Sequence, residues 1–258
     1  MKYKIKKTIE FLKTKWLLGT INFIYYYFKI RKTRKNLAYK YIRGNGIEIW
    51  WLINPNPVDT SLAKVKYVDY LDEETLKKNY DNELAKDNLQ KIDYICKADN
   101  LDKIASDSQD FIIGNHLFEH LDNPIKTLIE RYRVLKNGWI IFMAIPDKRR
   151  TFDINRERTP LDHMVLDYQQ PSEERDRQHY LEYAGIEYPD SQEREKEAKR
   201  LKSIDYSIHY HVFIEQDILD IVNRCNKHAS VKFEEVYTKH TAKNKADNEF
   251  IIILKAKK

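Results

Sequence analysis

Residues 108–147, SQDFIIGNHLFEHLDNPIKTLIERYRVLKNGWIIFMAIPD, decide the fold because they contain a strand, a helix and a second strand in succession. SQDFIIGNHLF follows a polar turn and has an apolar centre, which predicts a buried strand. NPIKTLIERYRVLKNG has apolar residues at helical spacing, with Pro124 at its start and Gly138 at its end. WIIFMAIPD is apolar until Pro146 ends it. This order predicts two parallel strands in a sheet that is covered on both faces.

The same pattern extends outward from this stretch. Toward the N-terminus we predict strands in GIEIWWLI, AKVKYVDYL and KIDYICKADNL, and a helix in DEETLKKNY. Toward the C-terminus, EQDILDIVNRC is helical in pattern, and SVKFEEVYT and NEFIIILKA are strands joined by a polar connection that fits a closing antiparallel pair. The sequence therefore predicts an α/β fold with a Rossmann-like doubly wound sheet of seven strands, mostly parallel with a C-terminal antiparallel strand pair.

Residues 151–213 interrupt this pattern and are rich in charge, histidine and tyrosine. Within them, SQEREKEAKRLKS has the pattern of an exposed helix. The whole segment is too long for a plain loop. We predict a helical lid-like insertion here, within a domain at 42–258 that follows an N-terminal arm at 1–41.

The net positive charge of the chain lies in the arm. Residues 1–43 carry a net charge of +12 and the whole chain +6, so the remainder carries −6. This distribution argues against specific nucleic-acid binding by the body of the protein. The apolar run between Lys15 and Lys29 has thirteen residues, whereas a membrane span needs about 20. Three interpretations remain: a helix packed on the body, an interfacial helix on an anionic membrane, or an RNA-binding arm.

The cysteine content and the arm indicate a location. Two cysteines, Cys96 and Cys225, do not form a disulfide framework, so a reducing compartment is expected. No small-residue cleavage site follows the aromatic run, which is poor evidence for a signal peptide. We predict a cytoplasmic protein, with peripheral association at the inner face of the membrane if the arm is interfacial.

Ligands in doubly wound sheets bind outside the carboxyl ends of the strands. The residues at the predicted strand ends are polar here: Asn54, Asp69, Asp99, Asn115 with His116, and Asp147. Imidazole titrates near neutral pH, so several histidines are candidate bases. They are His116, His120, His163, His179, His209 and His211. His209 and His211 alternate with apolar and aromatic residues, which predicts that both face the same cleft.

The motifs EHLDNP and RVLKNGW resemble the EHL-x-DP and RVLKPGG positions of class I S-adenosylmethionine-dependent methyltransferases of the type 11 group. The likeness covers roughly residues 42–255 and extends to the PDKR after the fifth strand. It implies S-adenosylmethionine as the cofactor. It also implies that Asp69 holds the ribose hydroxyls, that Asp99, with Asn100 beside it, reads the adenine, and that Glu48 lies near the methionine end. The cofactor-binding residues predicted in this way are Glu48, Trp50, Asn54, Asp69, Asp99, Asn100 and Asn115.

Trp50 and Trp51 depart from this family pattern, because they replace the small residues of the first turn. Glycine is used there so that the backbone can approach the ligand. Three alternatives follow. The Trp50 side chain points away, its indole forms a wall that stacks on the ligand, or it fills the pocket and prevents cofactor binding.

The resemblance implies methyl transfer to a small-molecule or glycan acceptor. The polar insertion suits a hydroxylated or acidic acceptor such as a sugar, and the predicted catalytic residues are His116, His120, His209 and His211. A catalytically inactive methyltransferase-like binding protein is the alternative. A remote alternative is a metal-dependent hydrolase, because HLFEH (116–120) is also an H-x-x-E-H motif. We predict no resident metal, and the sequence has neither a Gly-x-Ser-x-Gly elbow nor a glycine-rich phosphate loop.

Overall fold

The computed structural model describes residues 29–50, 54–79, 86–241 and 247–258. Within them the strands are β1 (Gly44–Ile49), β2 (Ala63–Asp69), β3 (Tyr94–Ile95), β4 (Gln109–Asn115), β5 (Leu135–Pro146), β6 (Phe233–Lys239) and β7 (Glu249–Ala256). The helices are α1 (29–41), α2 (Glu73–Asn79), α3 (Pro124–Val134), α4 (Leu161–Gln169), α5 (Glu173–Ala184), α6 (Ser191–Ser203) and α7 (Glu215–His228). Residues 86 and 87 are also helical, and short 3-10 turns cover Phe118–His120, Lys148–Arg150 and Phe152–Asn155.

The strands form one sheet in the order β3-β2-β1-β4-β5-β7-β6. The pairs from β3 to β5 are parallel, and β7 runs antiparallel to both β5 and β6. The predicted sheet of seven mostly parallel strands with a C-terminal antiparallel pair is therefore confirmed. Strands β2 and β3 lie on one side of β1, and β4 and β5 lie on the other. The topological switch point is therefore between β1 and β4, where a ligand site is expected.

Alternate residues of the central strands supply two separate cores. Ile112 of β4 belongs to a cluster that α3 and α7 cover, whereas Phe111 and Ile113 belong to a cluster on the opposite face that α1 covers. Each of these side chains is fully buried, and burying one contributes about 1.5–3 kcal/mol. Gly46 of β1 lies so close to Phe111 that a Cβ there would come within 2.3 Å of its carbonyl oxygen. The close pairing of β1 with β4 therefore requires glycine at this position.

Several predicted boundaries were wrong. The helix expected to reach Gly138 ends at Val134, because Leu135 already pairs with Gln109 and the residues up to Ile140 form an irregularity in β5. The first strand ends at Ile49 instead of continuing through the tryptophans, and Trp51 lies outside the described residues. The third strand is only two residues long.

Part of the predicted arm belongs to the folded body. Residues 1–28 lie outside the described part of the chain. Helix α1 packs on the sheet through Ala38 and Leu37, and Ile42 follows in the same cluster. No helix in the described residues is both long enough and apolar enough to cross a bilayer.

The insertion is helical, as predicted, and consists mainly of α4, α5 and α6. It has a small core of its own, in which Tyr180 and Ala184 of α5 pack against Ala198 and Leu201 of α6 and against Ile208. Helix α6 coincides with the predicted exposed helix, and its buried residues are Ala198 and Leu201. The segment 204–212 that follows is not a strand, although its residues alternate in polarity.

Candidate cofactor and acceptor site

A cavity of about 210 Å³ lies at the carboxyl ends of β1, β2 and β3, beneath the insertion. Ile49 and Trp50 come from the end of β1, and Asp69 and Tyr70 from the end of β2. The insertion closes the other side. Its contribution consists of Tyr180, Asp205, Tyr206, Ser207 and Tyr210. The cavity therefore lies beside the switch point of the sheet, where the family's cofactor is expected.

Asp69 is the acid at the end of β2 and lies in the cavity wall. Its side chain is buried, and Oδ1 accepts a hydrogen bond from the amide of Leu71 at 3.0 Å. Burial raises the pKa of the carboxyl above its ordinary value. A carboxylate offers several acceptor positions on two oxygens, so this group can hold a cis-diol. Its place agrees with the predicted role on the ribose.

Trp50 also lines the cavity, so the alternative in which its side chain points away is wrong. The backbone at Trp50 has φ +70°, a conformation that costs a residue with a Cβ about 1–3 kcal/mol. The indole stacks on Tyr70 and on His120, with ring centroids 5.6 and 5.7 Å away. These contacts fix the indole as one aromatic wall of the cavity.

Asp99 lines the cavity from the segment after β3. Its Oδ2 accepts a hydrogen bond from Nζ of Lys126 at 2.7 Å. Asp122 lies in the same wall, and burial, together with the charge of Asp99, raises the pKa of its carboxyl. Asn100 is exposed, bonds through its backbone to Lys97 and does not line the cavity. The structure therefore brings Asp99, but not Asn100, to the predicted adenine side.

Three other predicted cofactor residues lie outside the cavity wall. Both carboxyl oxygens of Glu48 accept from the amide of Asn56, at 2.8 and 3.1 Å. The side chain of Asn56 accepts from Nδ2 of Asn115 at 3.1 Å, and Oδ1 of Asn115 accepts from the amide of Ala144. Asn54 accepts a hydrogen bond from Arg31. These contacts connect the loop after β1 to β4, β5 and α1. The three residues therefore hold this loop in position without lining the cavity.

His116 does not reach the cavity wall. It has φ +48°, and its Nε2 lies 2.9 Å from Oε2 of Glu249, which also pairs with Arg34. The helix that an H-x-x-E-H zinc motif needs is absent, because Phe118–His120 is a single 3-10 turn. His116 and His120 do not belong to one potential metal-ligand group in the described residues. The hydrolase arrangement predicted from HLFEH is therefore wrong.

His120 is held as a neutral imidazole. Its Nδ1 lies 2.9 Å from the carbonyl oxygen of Ile208, which can only accept, so Nδ1 carries the proton. Burial, followed by the neighbouring His209, lowers the pKa of His120 to about 3. Its Nε2 consequently keeps a lone pair, 4.0 Å from Oε1 of Glu119. Burial raises the pKa of Glu119 to about 7.

His209 forms a histidine–aspartate pair beside His120. The two imidazole rings meet edge to face at 4.7 Å. Nδ1 of His209 lies 2.7 Å from Oδ2 of the buried Asp153, and Arg156 pairs with the other oxygen at 3.0 Å. Burial opposes ionisation, but the hydrogen bond from His209 and the charge of Arg156 hold the pKa of Asp153 below its ordinary value. The carboxylate therefore fixes the proton of His209 on Nδ1 and leaves Nε2 as the basic nitrogen.

His211 does not share this cleft with His209, contrary to the prediction. It is fully buried and packs against His163 and His179 in a second cluster. The alternation of residues 206–212 would put both histidines on one face only in an extended strand, and this segment is not one.

Sequence reasoning missed two acids of the site. Asp153 was not singled out, and Glu119 appeared only within the HLFEH motif of the rejected hydrolase. The contact of Asp153 with His209 spans 56 residues, so no local spacing signals it. The sequence showed that the insertion is rich in polar residues, but it did not show which of them line the cavity.

The comparisons agree with this architecture. Residues 56–143 match the model of a family described as a methyltransferase domain. A protein of known structure from Pyrococcus horikoshii is 15% identical with a TM-score of 0.51, over 90% of this chain and 91% of that one. A SAM-dependent methyltransferase from Thermotoga maritima is 16% identical (TM-score 0.45, 83% and 82% covered). Another, from Methanosarcina mazei, is 18% identical (0.42, 83% and 92%). A comparison with curated proteins gave no match.

At 15% identity and a TM-score of 0.51, the likeness to the Pyrococcus horikoshii protein shows the fold alone, and the methyltransferase assignment rests on residues 56–143. The strand order, the acid at the end of β2 and the matched residues 56–143 together define the class. The chain contains a class I S-adenosylmethionine-dependent methyltransferase domain of the type 11 group.

Proposed function

We propose that this protein binds S-adenosylmethionine in the cavity at the ends of β1 to β3 and transfers its methyl group to a hydroxylated small molecule or glycan. One observation carries the proposal. Asp69 and Trp50, at the cofactor positions, line the same cavity as His120, and His120 contacts the His209–Asp153 pair. A candidate cofactor-binding acid thus shares a cavity wall with His120, and His209 adjoins that imidazole.

The chemistry asks little of the protein. The sulfonium is an activated leaving group, so the site must align the acceptor and, for a hydroxyl acceptor, remove its proton. Bound S-adenosylmethionine would supply the methyl group to the acceptor oxygen, and the electron pair of the broken carbon–sulfur bond would stay on sulfur. The hydroxyl proton would pass to Nε2 of His209, whose ring adjoins that of His120 in the cavity wall, and Asp153 would stabilise the imidazolium that results. His120 offers a second neutral nitrogen beside it.

The insertion supports a hydroxylated acceptor. Its wall of the cavity presents the hydroxyl-bearing residues Tyr206, Ser207 and Tyr210. Tyr210 donates to the hydroxyl of Tyr180, which donates to the carbonyl of Tyr206, so this wall is internally ordered. Ordered hydroxyl groups can donate to and accept from the hydroxyls of a sugar.

The small volume of the cavity supports the alternative of a catalytically inactive binding protein. Sites for small molecules typically enclose about 300–1,000 Å³, and this cavity encloses about 210 Å³ with Trp50 in its wall. A filled pocket would leave a methyltransferase fold that binds a partner without catalysis. Movement of the Trp50 indole onto the ligand would enlarge the cavity and stack the ring on it.

Calorimetric titration with S-adenosylmethionine and S-adenosylhomocysteine tests the proposal. We expect micromolar binding to the full-length protein and at least a tenfold loss in Asp69→Ala. Asp102→Ala is the matched control, because this exposed acid lies outside the cavity wall. Absence of binding to a folded sample, or unchanged affinity in Asp69→Ala, contradicts the proposal. Trp50→Ala distinguishes the roles of the indole, because affinity falls if the ring stacks on the ligand and rises if it fills the pocket.

We also propose that the N-terminal segment holds this cytoplasmic enzyme at an anionic membrane surface. Residues 1–28 contain six lysines, one glutamate and the aromatic run 23–28. Basic groups near such a surface contribute about 1 kcal/mol each, and an aromatic face can enter the interface. A glycan acceptor carried on a membrane lipid would then be within reach of the site.

A further inference from the structure

A second group of titratable side chains lies in the insertion, apart from the cofactor cavity. His163 and Asp167 are one turn apart on α4, His179 comes from α5, and His211 comes from the segment that follows α6. Asp167, His179 and His211 are at most 5% exposed, and His163 is 26% exposed. Three imidazoles and one carboxylate are therefore brought together from three parts of the insertion.

The separations between these groups fit one metal ion. Nε2 of His163 lies 3.3 Å from Oδ2 of Asp167, and Nε2 of His179 lies 3.5 Å from the same oxygen. One possible ligand atom from each of the four residues lies within 4.8 Å of the others. Four ligands bound tetrahedrally at about 2.0–2.1 Å from a zinc ion are about 3.3–3.4 Å apart. Two of the separations are already close to this spacing, and the others, which reach up to 4.8 Å, must shorten as the side chains turn.

Hydrogen bonding within the protein leaves this group incomplete. Among the described residues, buried atoms without a hydrogen-bond partner include Nε2 of His163, Oδ2 of Asp167, Nδ1 of His179 and Nδ1 of His211. A buried polar atom left without a partner costs about 1–3 kcal/mol. Nε2 of His163 and Oδ2 of Asp167 lie 3.3 Å apart, so these two atoms converge, and the Nδ1 atoms of His179 and His211 belong to rings that pack against each other in the same cluster. Their lack of partners indicates that something else bonds to the group.

The surroundings orient the side chains as they do around bound metals. Oδ1 of Asp167 accepts from Nε of Arg175 at 2.7 Å, which directs the carboxylate. Nε2 of His211 lies 3.2 Å from the carbonyl oxygen of Asp122 and 3.7 Å from Oδ2 of Asp167, and its donation to the carbonyl leaves Nδ1 as the unprotonated nitrogen. Metal-binding histidines usually donate their other ring nitrogen to a carbonyl or carboxylate in this way.

We propose that His163, Asp167, His179 and His211 bind one structural zinc ion. Three imidazole nitrogens with one carboxylate oxygen suit zinc, whereas calcium and magnesium prefer sites made of oxygen alone. Four protein ligands in a largely buried position leave no place for a catalytic water. The site does not depend on the proposed methyl transfer.

The ion would fix the wall of the cofactor cavity. It joins α4 and α5 to the segment 204–212, which carries Tyr206, Ser207 and Tyr210 into that cavity. Without the ion, this segment is still held by Ile208 in the small core of the insertion, by backbone bonds to Glu119 and by Arg156, which donates to the carbonyls of His209 and Tyr210. Zinc removal should therefore loosen the insertion more than the sheet.

The other potential metal-ligand group, Glu119, His120 and His209, carries no such proposal. His209 is engaged with Asp153 and His120 with the carbonyl of Ile208. These three residues also border the proposed reaction site.

The test is metal analysis of the full-length protein, purified without a histidine tag. We expect a single equivalent of zinc after dialysis, its removal by a strong chelator with a fall in Tm, and recovery of Tm on adding zinc. Cobalt added to the metal-free protein should give the intense visible absorption of tetrahedral cobalt. Folded protein that takes up no zinc and shows no chelator effect overturns the proposal.

Variants separate this site from adventitious binding. His163→Ala, at the most exposed ligand, should reduce zinc affinity at least tenfold and abolish the chelator effect on Tm. His228→Ala is the control, because this exposed histidine of α7 lies outside the group. His179→Ala should behave like His163→Ala, and if it fails to fold the comparison of His163→Ala with His228→Ala decides. Zinc held equally by His163→Ala and the control is adventitious and overturns the proposal.

Discussion

Glu48 is a buried acid whose ionisation opposes folding. Burial raises the pKa of its carboxyl from 4.5 to about 8, although the amide of Asn56 and the charges of Arg34 and Arg31 favour the ionised form. Between these two pH values the folded protein holds a proton that the unfolded chain has lost. Stability must therefore fall as pH rises from about 4.5 through about 8, by at most about 1.4 kcal/mol per pH unit for this group.

We expect Glu48→Gln to remove this part of the pH dependence. The variant should gain stability relative to the wild type as pH rises across that interval, because the amide never ionises. Denaturant unfolding measured at about pH 5 and about pH 8 gives the comparison. Glu157→Gln, at an exposed acid, should follow the wild type. If the free energy of unfolding changes equally between the two pH values in Glu48→Gln and in the wild type, Glu48 ionises with an ordinary pKa.

Single residues were predictable where a motif fixed them. Asp69 and Asp99 follow strands whose apolar pattern is local, and both line the cavity as expected. The sequence predicted that Glu48 and Asn115 lie near the cofactor. Both bond to Asn56, and neither lines the cavity. Asp153 was missed because its partner His209 is brought to it by the path of the insertion, which no short-range spacing encodes.

Trp50 shows how a departure from a motif is resolved by geometry. The sequence left three alternatives for its side chain. The positive φ at this position turns the indole toward Tyr70 and His120, and this excludes the outward orientation. The choice between a stacking wall and a filled pocket depends on the ligand, so the titration of Trp50→Ala decides it.

At the scale of secondary-structure elements, α1 is fixed to β7 by a buried ion pair. Arg34 donates from Nε to Oε1 of Glu249 at 2.9 Å, and a second contact joins its Nη2 to Oε2. Burial raises the pKa of Glu249, but Arg34 and His116 outweigh that effect and hold it well below its usual range. The helix thus depends on a charge that would be costly to leave without a partner.

Arg34→Met should destabilise the protein by about 3–5 kcal/mol, because it leaves the Glu249 carboxylate buried with only His116 beside it. Chemical denaturation gives the free energy of unfolding. The double variant Arg34→Met/Glu249→Gln should recover part of the loss, since the buried charge is then gone. Lys40→Met, on an exposed turn of the same helix, is the control. A loss below about 1 kcal/mol for Arg34→Met would mean that the pair contributes no more than a surface contact.

Elements with a strong local period were predicted well. The helices at Pro124, Ser191 and Glu215 begin where their sequence patterns begin. Errors arose where pairing with another strand overrides local preference, as at Leu135, which joins the sheet before Gly138 is reached. The segment 204–212 alternates like a strand, yet it is not part of the sheet. Periodicity reports which residues are buried, but not whether a neighbouring strand is available.

For the whole molecule, the distribution of charge separates a basic N-terminal segment from an acidic remainder. Helix α1 lies within the stretch first assigned to the arm, but its Arg34 is bound to Glu249 and its apolar side packs on the sheet. Residues 1–28 carry a net charge of +5 together with the aromatic run, and the exposed lysines of α1 add further positive charge. A deletion that tests the arm must end before residue 29 to leave the fold intact.

Full-length protein should sediment with vesicles that contain anionic lipid and should not sediment with neutral vesicles. Binding should weaken as salt rises from about 0.05 to about 0.5 M, because added salt screens the lysines. Deletion of residues 2–28 should abolish binding while circular dichroism and Tm stay close to those of the intact chain, since Arg34 and the packed face of α1 remain. Deletion of residues 2–40 should instead lower Tm, which separates loss of the segment from loss of the helix. Equal sedimentation of the intact protein and the 2–28 deletion would reject the membrane role, and salt-sensitive binding to RNA without binding to vesicles would assign the segment to RNA.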